Sequence, residues 1–424
     1  MTCVALFGIC KVIFHFPPST DDFVYLRANV ENRLNLDFFG AYLARVPLWC
    51  YVTFELFTSS LSTLENLIYP AGFAWNAGFL LLFARRIRRL MFGRIQTSLW
   101  FWLLAGIFTF FPNDHEVLFW LTCLPYAVGL GFLWCAWICR IPVMKILFYT
   151  AAYACGEMYL MPSLALELLT VVYPKPGPPP PPGRHELGQA LQKTFFWLLA
   201  VGLFLAMRRI LSLAFGTYPH SYVRDFGVLP QQFLHMLEHF FVMDYYKIFW
   251  TPTLLYWTAL VIVTWTAAKH ATINRLTVVY AALFMLTCGS LVFAMGYFAP
   301  RALFGASLCV NAFLIVLIER ALYKTRILTR WSVLILIGGS FFGQSVLIYS
   351  LKDTNSKILG QKEENLVTHL RQCAQQQAQE CVVETTQIPQ GLTRGWVLHS
   401  DYVEDYVGWI AARYGITVPI RYVP

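Results

Sequence analysis

Asp21 and Asp22 stand side by side just after Pro17 and Pro18, which close the first apolar stretch of the chain. A carboxylate at a membrane boundary costs free energy unless it has a partner or a task. One acid of such a pair can take the proton of an acceptor hydroxyl as general base. Its neighbour can orient the acceptor, because two close carboxylates separate their pKa values. A phosphate leaving group would need cations, and Arg184, His185, Lys193, His220 and Arg224 are candidates, since Arg and Lys bond phosphate oxygens directly. Together these residue types suit group transfer from a lipid phosphate to a hydroxyl. The competing reading of Asp21 and Asp22 is a solvated pair at a helix end, because charges gather at membrane interfaces.

Other acids carry weaker signals. Glu157 and Glu167 fall inside an apolar run, where an ionisable residue is read as functional by default. They are ten residues apart, about 80° out of alignment on a helix, so they do not converge on one site. Glu116 ends the short turn Pro112-Asn113-Asp114-His115-Glu116. His235 and His239 have i, i+4 spacing, but HMLEH is not the HExxH zinc pattern and reads as amphipathic helix surface. No metal and no cofactor is expected.

The elements that must position these residues follow from composition. The 424 residues are 58% hydrophobic and only 13% charged, with a mean hydropathy of +0.55. Soluble domains carry about twice that charged fraction. Apolar runs of about 18–22 residues recur, the length that crosses about 30 Å of hydrocarbon. The expected fold is all-α, a polytopic membrane protein of about 10–11 helices. Residues 1–351 form the membrane domain, with a long first extracytoplasmic loop at 17–63 and a Pro-rich loop at 174–194. Residues 352–424 form a hydrophilic extracytoplasmic tail with helices over 362–381 and 401–413.

The net charge of +9 sits in short clusters: Arg85 to Arg94, Arg140 with Lys145, and Arg320 to Arg330. This is the positive-inside pattern and not a nucleic-acid footprint. Working outward from these clusters, residues 146–173 form one crossing, and 174–194 lies on the same side as the acid pair. The forward and backward counts disagree by one crossing, placed within 195–247. Nine of the eleven cysteines lie in or near apolar segments. Cys373 and Cys381 lie in the polar tail, and form a disulfide if that tail is extracytoplasmic or remain thiols if it is cytoplasmic.

The sequence STDDFVYLR after an N-terminal helix resembles the integral-membrane glycosyltransferases of the GT-C class. NDHEVLFW before a span and GEMY at Gly156–Tyr159 are similar to the layout of phage-type glucosyltransferases that decorate O-antigen. The resemblance implies a polyprenyl-phosphate-linked sugar as donor, an envelope glycan as acceptor, the bacterial inner membrane as location, Asp21 and Asp22 as the catalytic acids, and Glu116 and Glu157 as candidate pocket residues. The absence of a Gly-rich phosphate loop argues independently against a nucleotide-sugar donor. The alternatives are a transporter or flippase of a lipid-linked substrate, and a glycan polymerase or ligase.

Overall fold

The computed structural model describes residues 21–58, 61–93, 98–109, 124–173, 184–216, 279–280, 283–284, 287–288, 300–323, 325–384 and 403–423. Of these, 84% are helical, so the fold is all-α apart from one two-stranded parallel pairing. The helices are α1 (Asp21–Val30), α2 (Ala41–Arg45), α3 (Pro47–Thr58), α4 (Leu61–Phe92), α5 (Leu99–Phe108), α6 (Leu124–Ile138), α7 (Pro142–Cys155) and α8 (Leu160–Val172). They continue as α9 (Arg184–Phe215), α10 (Pro300–Leu322), α11 (Ile327–Gln375) and α12 (Val403–Arg413). Strands β1 (Cys381–Glu384) and β2 (Ile420–Val423) pair in register from Cys381 with Ile420 to Glu384 with Val423.

Two apolar clusters organise the chain. The larger is a bundle of α4 to α10 with the start of α11, built on Phe83, Phe101, Leu130, Tyr153, Phe204, Phe313 and Ile337. Its α10 is mostly buried, whereas α9 turns apolar side chains outward along its length, including Leu198, Leu203, Leu205, Ile210 and Leu213. Two helical stretches, Leu187–Phe215 and Phe304–Leu322, are long and apolar enough to cross a membrane. An apolar helix left bare on its outer face needs a non-aqueous surrounding or a partner.

The smaller cluster joins the two ends of the chain. Phe23, Leu26, Phe39, Trp49 and Phe57 of the first loop pack with Leu366, Leu370, Val403, Val407, Trp409 and Ile410 of the tail. Here α11 is the connecting rod: Val333 and Ile337 belong to the bundle, and Leu366 and Leu370 belong to this second unit. Hereafter this unit is the cap. The tail therefore has no separate core among the described residues; it shares one with α1 to α3.

Residues 146–173 depart from the expected single crossing. The chain breaks after Cys155, makes a 3-10 turn over Glu157–Tyr159, and returns as α8. Tyr153 bonds Ser163 at 2.7 Å, and Lys145 and Tyr149 both reach Glu167, so α7 and α8 are an antiparallel hairpin. At 14 and 13 residues they are each about 20 Å long. Composition alone reads the pair as one span because both halves are apolar.

Tyr159 anchors the hairpin tip. It is fully buried and donates to the Tyr126 carbonyl. A β-carbon added at Gly129 or Gly305 would run into its ring. Gly129→Val is therefore expected to cost about 1–3 kcal/mol by overpacking against a rigid ring. The check is the thermal midpoint of the detergent-solubilised protein, with Gly106→Val, where nothing lies within 4 Å of the added carbon, as the comparison.

Candidate functional site

The cap presents the acid-bearing helix. Asp21 opens α1, and Asp22 is fully buried in it. Phe23 sets its ring against Tyr406 and Trp409 at 5.0 and 5.4 Å, which lays α12 over α1. Arg27 extends this contact by bonding Asp405 at 3.1 Å and Glu31 at 2.9 Å. Gly408 makes room for it, since a β-carbon there would meet the guanidinium at 2.6 Å.

Two carboxylates keep Arg27 charged at this contact. Burial works against the charge of Arg27, but Glu31 and Asp405 outweigh it and raise its pKa. Burial likewise disfavours the Glu31 carboxylate, yet Arg27 and Arg33 hold its pKa below the ordinary 4.5. A depressed acid contributes stability above its unfolded pKa and loses it as pH falls through the folded value. Acidification below about pH 4.5 should therefore loosen Glu31 from Arg27 and Arg33 at the end of α1, by less than about 1 kcal/mol because these groups are partly exposed. Hydrogen exchange of residues 27–34 across that pH range measures it, and rising protection on acidification would contradict it.

A second set of charges lies where the cap meets the bundle. Arg45, in the last turn of α2, donates to Glu157 at 3.0 Å, and Arg208 of α9 donates to the other oxygen of the same carboxylate. Gly156 ends α7 and lets the chain turn so that Glu157 reaches this seam. Aromatic faces carry both guanidiniums: Arg45 lies 5.8 Å from the Tyr42 ring centroid and Arg208 lies 5.6 Å from that of Phe204. Two cations meet one anion, so these three groups sum to one positive charge. Planar guanidinium forks of this kind match carboxylate and phosphate oxygens.

The opposite end of the bundle has its own network. Glu167 accepts from Lys145 at 2.6 Å, Tyr149 at 2.6 Å and Lys193 at 3.1 Å, and is almost wholly buried. Arg88 and Ser98 bond Glu319 nearby in the fold's basic end, where Arg320 lies over Phe92 and Arg330 over Trp100. Arg86 donates to the Trp137 carbonyl, and Trp137 donates to the carbonyl of Leu166, beside Glu167. Three basic clusters distant in sequence thus share one end.

These positions sort the expected site residues. Glu157 and Glu167 bind different cations because the 3-10 turn puts Glu157 at the hairpin tip while Glu167 lies about two turns into α8. Lys193 belongs with Glu167 and Thr170, not with α1. Because α9 starts at the basic end, Arg184 and His185 lie about 24 residues, or about 36 Å, before Arg208 along it. The expectation that they flank the acid pair is thereby reversed: it is the far end of α9, with Phe215, that packs on the cap. The side chains of Asp21, Arg184 and His185, and all of Glu116, His220 and Arg224, lie outside the described residues. Arg45 and Arg208 were not among the expected phosphate ligands. Arg208 had a signal, a charge inside an apolar run; Arg45, 112 residues from Glu157, had none.

The chain matches no family model, no curated protein and no solved structure. What it does must be argued from the chemistry of these groups.

Proposed function

We propose that this chain is a multi-pass membrane glycosyltransferase that moves a sugar from a polyprenyl phosphate to a hydroxyl of an envelope glycan. The observation that carries the reading is the convergence of Arg45 and Arg208 on Glu157, at the seam between a bundle with an apolar flank and a cap bearing Asp21 and Asp22. A phosphate on a lipid tail could reach the two arginines with its chain lying along the exposed apolar side of α9. Asp22, or its neighbour Asp21, is the base for the acceptor hydroxyl. Because Asp22 is buried, this reading requires the cap to open around α1 before the acid meets an acceptor.

Topology supports the same sidedness. With the basic end taken as cytoplasmic, α1, Arg45 and Arg208 face outward. The α7–α8 hairpin returns the chain to the cytoplasmic side, so the 174–194 loop is cytoplasmic in this reading and α9 crosses outward. An even number of crossings is then needed between α9 and α10, and the sequence there holds two apolar stretches, 248–268 and 276–298. The Cys373–Cys381 disulfide fits an outward-facing tail.

The transporter reading keeps one observation in its favour. Between the two charge clusters Tyr149, bonded to Glu167, stacks on Tyr153, and Tyr153, Ser163 and Trp197 are linked by hydrogen bonds toward the Glu157 turn. Such a stripe suits a pathway as well as a structural seam. Mass analysis of the envelope glycan with and without the chain separates them. Loss of one hexose with the lipid-linked donor still at the outer face supports transfer, and an unchanged glycan refutes it.

A further inference from the structure

We infer that His369, Cys373 and Cys381 form a redox-gated site for a thiophilic metal ion of the Zn(II) class. Their ligand atoms all lie within 4.8 Å of one another. His369 and Cys373 are four residues apart near the end of α11, so they share a face. Cys381 opens β1 opposite them. The imidazole Nε2 stands 3.9 Å from the Cys373 sulfur. A tetrahedral centre with metal–sulfur and metal–nitrogen bonds of about 2.3 and 2.0–2.1 Å needs about 3.6 Å between those atoms.

The two sulfurs are joined here, so this is the oxidised state. Reduction by a dithiol delivers two electrons and two protons to the S–S bond, and the dithiol leaves as its own disulfide. The freed thiols then lose two protons to solvent as they bind a divalent ion. Two thiolates and one neutral imidazole make a neutral centre, with a fourth position for water. Two thiolates on one zinc sit about 3.8 Å apart, a spacing that side-chain rotation reaches from Cα atoms 5.6 Å apart. His369 must release the Val382 carbonyl, to which it now donates at 2.9 Å. Its exposed ring leaves the ion a way in. In either state β1 stays tied to α11, so the strand beside the α12 end of the cap keeps its anchor. The inference stands apart from the transferase reading and from the side of the membrane the tail faces.

Cadmium titration of the full-length protein in detergent tests it, after reduction by a phosphine and anaerobic removal of the reductant. Reduced protein should give the ultraviolet thiolate-to-cadmium band, saturating at one equivalent, and unreduced protein should give none. The Cys373→Ser/Cys381→Ser variant should lose the band. His369→Ala should bind at least about tenfold more weakly, since even the outer partners of a metal ligand cost that much. Absence of the band in reduced protein overturns the inference, as does a band that survives in the double serine variant.

Discussion

Replacing Glu167 with leucine is expected to cost about 3–5 kcal/mol, the usual penalty for removing one partner of a buried charge cluster. The carboxylate is 1% exposed and gathers Lys145, Lys193 and the fully buried Tyr149. Leucine would leave two ammonium groups at this spot without the anion between them. Their desolvation would no longer be offset, and their mutual repulsion would be unshielded. Glu167→Gln keeps the shape and one acceptor, so it should fall between wild type and leucine. A triple change of Glu167, Lys145 and Lys193 to apolar residues should recover much of the loss, because isosteric apolar replacement of buried ions is often neutral or better. Thermal unfolding in detergent reads all three. If Glu167→Leu is neutral, the network is not a stabilising feature of the bundle.

Phe23→Ala is the second large expectation, at about 3–5 kcal/mol for loss of a buried aromatic. Phe23 is 2% exposed and stands between α1 and the Tyr406–Trp409 face of α12. Beside it, Arg27 bonds Asp405 and so adds a polar link between α1 and α12. The loss should therefore appear locally, as protease cutting and rapid hydrogen exchange within residues 403–413, before the bundle melts. Arg27→Ala should act in the same place but more weakly, since partly exposed ion pairs contribute about 0–1 kcal/mol. Equal protection of 403–413 in Phe23→Ala and wild type would mean that α12 is held from elsewhere.

Much of this architecture was written in the sequence, and the exceptions have physical reasons. Apolar periods and the low charge content lead directly to an all-α chain with long apolar helices. The separation of Glu157 from Glu167 was expected from one continuous helix, but it comes from the 3-10 turn that sets Glu157 at the hairpin tip. By contrast, the α7–α8 hairpin hides because its reversal needs only Gly156 and a 3-10 turn within continuous apolar sequence. That single reversal changes which end of α9 meets the acid pair, and with it the cations available to a phosphate. The cap was not legible either. Arg27 and Asp405 are 378 residues apart, and no local propensity links them. Tail helix 401–413 was readable as a helix, but its partial apolar face gave no hint that α1 is what covers it. The Cys373–Cys381 pairing was legible as one of two outcomes, because the redox state of two cysteines in a polar tail depends on the side of the membrane that the tail faces.

The central claim joins the Asp22-bearing cap to the two arginines at its seam. Its most direct measurement is mass analysis of the envelope glycan in cells carrying Asp22→Asn, Arg208→Ala or wild-type protein, at matched membrane levels. The account predicts loss of the added hexose with Asp22→Asn and sharply reduced addition with Arg208→Ala. Wild-type levels of the modified glycan in the Asp22→Asn cells would contradict it.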